Sequence, residues 1–131
     1  MSPDVQFFVS LGTTLAILVA VVVTGFQAKR RIHLTLVACA VAMLGTTIYF
    51  AERLGNYYDL EAAGWITPVH LTLAKIATVS YLLPVITGLR VLKDPSRRKA
   101  HRGAAYLVLT LSVMTFATGL WMLLASERLP V

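Results

Sequence analysis

A chain of 131 residues that is 57% hydrophobic and 14% charged, with a mean hydropathy of +0.74, is too apolar for a water-soluble domain of its size. It has room for only a few membrane crossings, so an all-α integral membrane protein is expected. The net charge of +6 comes from basic residues gathered in two short loops between apolar runs, which points to membrane topology and lipid headgroups and not to nucleic acid.

About 20 helical residues cover the ~30 Å hydrocarbon layer, and four stretches qualify: 5–27, 33–52, 67–90 and 103–125. The first has no basic segment ahead of it, and its positive cluster follows the apolar run, so it reads as a retained helix and not a cleaved signal. Lys29, Arg30 and Arg31 then fill a short loop. His33 opens the second span, which holds Cys39 and closes on Glu52. As the single cysteine, Cys39 forms no intrachain disulfide and is expected as a small packed side chain.

An outer loop follows with Tyr57, Tyr58, Asp59, Glu61 and Trp65. His70 opens the third span, and Lys75 lies about five positions further in, where it must snorkel or pair with an acid such as Glu52. Pro84 is expected to bend this helix, because it lacks a donor and crowds the preceding turn. Asp94-Pro95-Ser96 marks a turn, Arg97, Arg98 and Lys99 follow, and His101-Arg102 opens the fourth span.

Basic residues mark the cytoplasmic side. The loops at 28–32 and about 91–102 should face inward, while Asp4, Glu52, Asp59, Glu61 and Glu127 collect on the other face. The expected architecture is therefore a single up-down four-helix transmembrane bundle spanning 1–131, with both termini outside. Gly12, Gly45, Gly88 and Gly119, beside Thr13, Thr14, Thr46, Thr47, Thr87 and Thr118, are expected to let helices approach closely. The halves echo each other faintly: Arg-Ile-His33 and Lys-Ala-His101 open the second and fourth spans, and Glu-Arg-Leu closes both, at 52–54 and 127–129.

The three histidines are the candidate ligands. His33 and Glu52 stand 19 residues apart, about 28 Å along a helix, so two separate polar sites are expected. His33 and His101 would lie at the basic side. Across the diagonal of a square bundle, roughly 11–14 Å, they could take opposite faces of a haem iron, with Arg30, Arg31, Arg97, Arg98 and Arg102 on its propionates or on lipid. The same two residues could instead hold a bare metal ion, or cap the helix ends in the headgroup layer. At the acidic side His70 and Glu52, with Asp59 or Glu61, form a mixed imidazole–carboxylate set that suits Zn, Cu or Fe. A Glu52–Lys75 ion pair between the second and third helices competes with that use of Glu52.

Three stretches carry a family resemblance: Arg-Arg-Ile-His33, the run from His70-Leu-Thr-Leu-Ala to Leu-Pro84-Val-Ile-Thr-Gly-Leu-Arg90, and Arg-Arg-Lys-Ala-His101-Arg-Gly. Over about residues 30–124 the chain resembles the small four-helix membrane family catalogued as domain of unknown function 420, some members of which are linked to assembly of haem-copper terminal oxidases. The family pattern often has histidine at the end of the second helix, where this chain has Glu52. The resemblance implies His33, Glu52, His70 and His101 as the functional set, and a bacterial cytoplasmic membrane as the location.

No phosphate-binding glycine loop, HExxH, CxxC or nucleophile–histidine pair is present, so an enzyme is not expected. Three functions remain. The first is an accessory or assembly protein of a respiratory redox complex that binds haem or a Cu, Fe or Zn ion. The second is a bis-histidine b-type cytochrome passing electrons within the membrane. The third is a purely structural subunit of a larger membrane complex. The expected partners are the bilayer and either that complex or further copies of the chain.

Overall fold

The computed structural model describes residues 1–130 and contains four helices long and apolar enough to cross a membrane, at Pro3–Phe26, Arg30–Gly55, Ile66–Lys93 and Pro95–Ala125. In chain order the elements are α1 (Pro3–Phe26), α2 (Arg30–Gly55), β1 (Tyr58–Asp59), a 3-10 turn (Glu61–Ala63), α3 (Ile66–Ser80), α4 (Leu82–Lys93), a second 3-10 turn (Pro95–Arg97), α5 (Arg98–Ala125) and β2 (Glu127–Arg128). Valines in mid-helix stand well out of the protein: Val19 is 63% exposed, Val79 66% and Val113 67%. Such surface suits hydrocarbon and not water.

Two compact units divide the chain, Met1–Tyr58 with the residues from Leu129 onward, and Asp59–Arg128. Each is built on a helical hairpin.

In the first unit Ser2 caps α1, its Oγ accepting the Val5 amide at 3.4 Å, with Pro3 at the first helical position and Asp4 in the first turn. These choices satisfy an orphan donor, fix φ and place a negative charge at the positive end of the helix dipole. The pairing with α2 is antiparallel. Tyr58 donates to Asp4 Oδ1 at 2.8 Å, the Thr14 and Thr47 hydroxyls meet at 2.8 Å, and His33 Nδ1 reaches the Val21 carbonyl at 2.9 Å. Ser10, Thr14, Thr24, Ala40 and Thr47 are all buried, as expected where lipid supplies no hydrophobic drive and small or polar side chains join helices. Thr14 donates its proton to the Ser10 carbonyl at 2.8 Å, so Thr47 is the donor between them.

Two packing expectations are corrected here. Gly12 and Gly45 face outward, and a Cβ on either would meet nothing within 4 Å. The close packing falls to Thr14 and Thr47, two residues further on. Cys39 is exposed on α2 and not packed.

The α1–α2 turn is tighter than the loop expected over 28–32. Lys29 N–H bonds the Thr24 carbonyl at 3.2 Å and Ala28 N–H the Gly25 carbonyl at 3.4 Å, the paired bonds of a Schellman cap. Ala28 holds the left-handed position at φ 54°, a place that glycine takes without the Cβ penalty. Ala28→Gly is therefore expected to raise stability by up to about 1 kcal/mol, measured by denaturation in detergent. Because the turn closes by Lys29, Arg30 and Arg31 form the first turn of α2. Arg98, Lys99 and Arg102 likewise belong to α5. The helices run on past the apolar stretches, and only apolar length is legible as a span.

In the second unit α3 and α4 together run against α5. His70 faces Thr118 at 3.1 Å, Tyr81 faces Ser112 at 2.8 Å and His101 faces Thr87 at 3.2 Å, which is again an antiparallel register. The expected effect of Pro84 appears as a break at Tyr81, between α3 and α4. A proline at 84 has no N–H for the Ser80 carbonyl and its ring crowds that turn. Tyr81 N–H turns instead to the Thr78 carbonyl at 3.3 Å. At the other end the Trp65 and Trp121 rings meet edge to face, 5.2 Å between centroids, beside the fully buried Ile66. Both indoles are exposed, as anchors at a headgroup boundary would be.

Gly64, at φ 70° and ψ −135°, ends the first 3-10 turn in a conformation that side chains avoid. Its carbonyl receives the Thr67 amide at 3.2 Å as α3 begins.

Asp94 organises the link between α4 and α5. Its Oδ1 accepts from the Ser96 amide at 3.0 Å and the Ser96 hydroxyl at 2.6 Å, and its Oδ2 pairs with Arg97 Nε at 3.2 Å. The Ser96 hydroxyl foremost, then the Ser96 amide and the Arg97 charge, hold the carboxyl below its ordinary value of 3.8. A depressed carboxylate stabilises the fold above its unfolded value, and that contribution is lost as pH falls through the lower folded value. Exchange of the Ser96 amide, relative to an unstructured peptide at the same pH, is accordingly expected to stay slow down to about that ordinary value and to speed up below it. In Asp94→Ala it should be fast throughout, and equal protection in both proteins would contradict the cap.

Candidate functional site

All three histidines are held in the same way, each against a Thr-Gly dipeptide on the neighbouring helix of its own unit. The sequence contains three such dipeptides, Thr24-Gly25, Thr87-Gly88 and Thr118-Gly119, and each receives one imidazole. His33 Nδ1 lies 3.4 Å from Thr24 Oγ1, His101 Nδ1 lies 3.2 Å from Thr87 Oγ1, and His70 Nδ1 lies 3.1 Å from Thr118 Oγ1. In each case the glycine is the floor. A Cβ on Gly25 would fall 3.2 Å from His33 Cε1, one on Gly88 would fall 3.2 Å from His101 Cε1, and one on Gly119 only 2.7 Å from His70 Cε1.

The threonine chemistry decides which ring nitrogen carries the proton. Every one of these hydroxyls already donates its single proton to its own helix: Thr24 to the Ala20 carbonyl at 2.8 Å, Thr87 to Leu83 at 2.7 Å, and Thr118 to Met114 at 2.9 Å. Each can therefore only accept from the imidazole, and Nδ1 must be the donor. A carbonyl repeats the demand for His33, whose Nδ1 is 2.9 Å from the Val21 oxygen. The Thr115 carbonyl, placed three residues before Thr118 as Val21 is before Thr24, also bonds His70. With Nδ1 protonated, the neutral ring keeps its lone pair on Nε2. An Nδ1–H anchored to an oxygen is the usual outer support of an imidazole that ligates through Nε2.

Sequence position anticipates where two of these rings sit. His33 and His101 are each the fourth residue of their helices, α2 and α5, following Arg30-Arg31 and Arg97-Arg98 in turn. Each of these two clasps lies at the arginine-rich end of its own hairpin. Neither ring caps a helix end, since both turn across to the opposing helix and are half-buried. Thr24-Gly25 was not among the small-residue sites expected to pack. A usable signal was nonetheless present, because Thr-Gly dipeptides and histidines are equal in number and two of the pairs flank a double arginine.

The remaining expected ligands are placed differently. Asp59 and Glu61 are exposed, and Asp59 Oδ1 caps the 3-10 turn by accepting from the Glu61 and Ala62 amides at 3.1 and 3.3 Å. His70 belongs to the same unit but turns to Thr118, and these three do not form a metal-holding group; among the described residues no group of three or more His, Cys, Asp or Glu does. Glu52 is exposed on α2 in the first unit, and Lys75 is exposed on α3 in the second. Arg30, Arg31, Arg97, Arg98 and Arg102 are exposed, near His33 or His101 in sequence. Tyr49 and Tyr106 are more than half exposed, and the Tyr49 ring lies 5.9 Å from the Arg53 guanidinium carbon. Tyr81, by contrast, donates to Ser112, whose own proton goes to the Val108 carbonyl.

No protein-family model matches the chain, and neither a curated protein nor a solved structure matches it.

Proposed function

We propose that the chain is a multi-pass membrane protein that binds haem or a transition-metal ion through the Nε2 atoms of its clasped histidines. The observation that carries this reading is the commitment of Nδ1 as a donor in all three clasps, which orients each ring and leaves Nε2 as the basic nitrogen. Separate imidazoles, with no protein-only group of three donors among the described residues, suit a group that brings most of its own ligands. A porphyrin does so and asks the protein for axial nitrogens alone. Of the two cofactor classes haem is therefore the better fit, held through His33 in the first unit or His101 in the second, with basic residues beside each. When bound, haem would supply one-electron chemistry. The chain's own contribution is to hold the rings in one tautomer and to keep the surroundings apolar.

In this reading the four spans run up and down, with the arginine-rich turns facing the cytoplasm and both termini outside. Service to a respiratory redox complex in a bacterial cytoplasmic membrane follows from the sequence resemblance alone. Optical spectra and elemental analysis of the purified protein test the proposal. Reduced-minus-oxidised Soret and alpha bands that disappear in His33→Ala or His101→Ala would establish the haem reading, and a bound metal without such bands would establish an ion carrier. Protein with neither, after expression with haem and metals supplied, would leave the clasps as helix-packing devices in a structural subunit.

A further inference from the structure

We propose that the cleft at the α4–α5 link, lined by Arg90, Lys93, Asp94 and Arg97, binds the phosphodiester headgroup of an anionic membrane phospholipid. The cleft has a volume of about 480 Å³ and lies where one membrane-length helix ends at Lys93 and the next begins at Pro95, which in a bilayer is where headgroup phosphates would lie. Its charges are unbalanced. Three cations meet one carboxylate, and that carboxylate is spent on the Ser96 amide, the Ser96 hydroxyl and Arg97 Nε. Arg90 and Lys93 make no side-chain hydrogen bond or ion pair among the described residues. They extend from the last turn of α4, where the helix dipole favours positive charge even before a ligand arrives.

The link also presets Arg97. Asp94 holds its Nε at 3.2 Å, which fixes the guanidinium plane and leaves the terminal nitrogens for a phosphate, the planar fork that arginine offers to such oxygens. Inorganic phosphate shares this chemistry. The lipid is the source we commit to, because Ile86 and Leu89, one turn before Arg90 and Lys93 on the same helix face, are exposed and would lie along an acyl chain while offering nothing to a free ion.

Native mass spectrometry of the full chain in detergent, with phosphatidylglycerol or phosphatidylcholine of the same acyl length, tests the proposal. Wild-type protein is expected to hold phosphatidylglycerol at least tenfold more tightly. Because hydrogen bonds to a charged group contribute more than neutral ones, Arg90→Gln/Lys93→Gln should weaken it about 30-fold or more. The charge-keeping Arg90→Lys/Lys93→Arg should preserve the preference, and so should Arg98→Gln/Lys99→Gln, which removes the same charge outside the cleft. Equal retention of the two lipids, or no effect of the Arg90/Lys93 neutralisation, would overturn the site. Equal loss in the Arg98/Lys99 variant would reduce it to general surface charge, and displacement of the lipid by millimolar inorganic phosphate would make it a free-anion site instead.

Discussion

Gly119→Ala is expected to destabilise the second hairpin by about 1–3 kcal/mol, the usual cost of forcing an extra methyl into a filled space. The new Cβ would stand 2.7 Å from His70 Cε1, 3.2 Å from Nδ1 and 3.3 Å from Nε2. The ring cannot simply swing aside, because its Nδ1 is tied to Thr118 at 3.1 Å. Alanine is otherwise the better helix former by roughly 1 kcal/mol, so the same change where the space is open should have the opposite sign. Gly12, Gly45 and Gly103, where a Cβ meets nothing within 4 Å, supply that control. Unfolding in mixed micelles across the four variants should separate Gly119 from the rest. The double variant His70→Ala/Gly119→Ala should lose less than the sum of the single changes, since removing the ring makes room for the methyl. Strict additivity would show that ring and glycine do not meet.

The second large effect concerns the nitrogens proposed to ligate haem or metal. Thr87→Val keeps the shape of the side chain and deletes the oxygen that accepts from His101 Nδ1, so bound haem or metal is expected to be held 10–100-fold more weakly, as when the outer partner of a ligating histidine is lost. Thr24→Val should do less. His33 Nδ1 is 3.4 Å from Thr24 but 2.9 Å from the Val21 carbonyl, and a backbone oxygen survives the mutation. Thr13→Val, at an exposed residue whose hydroxyl bonds only the Val9 carbonyl of its own helix, should have no effect. Titration of the apoprotein with hemin, read at the Soret band, would rank the three. If all three behaved alike, tautomer control by the clasp would be wrong. Packing alone predicts a different pattern: a hydrogen bond between membrane helices contributes about 0.6 kcal/mol on average, which would appear as altered stability with unchanged hemin affinity.

How far the site was legible depends on distance along the chain. His33 and Thr24 are nine residues apart across a short turn, and the basic cluster between them already marked a helix end. His70 and Thr118 are 48 residues apart, and nothing local in either stretch names the other. The acidic cluster shows the converse. Asp59, Glu61 and His70 are close in sequence, which suggested shared ligation, yet the 3-10 turn spends Asp59 on backbone amides and α3 aims His70 at α5. Nearness along a chain is a poor guide once a helix sets the direction of each side chain.

The sequence by itself determined the four membrane-length helices, a distortion of the third at Pro84 and the clustering of positive charge at the turns. Each of these follows from a local cause: the length of an apolar run, a missing amide proton, or the cost of carrying charge into hydrocarbon. Tertiary structure alone decided which small residues do the packing, that Ala28 takes the left-handed position, and that every imidazole is seated on a Thr-Gly step of the opposing helix. Those outcomes depend on the register and facing of two antiparallel helices, and register is a property of the pair that neither strand of sequence contains.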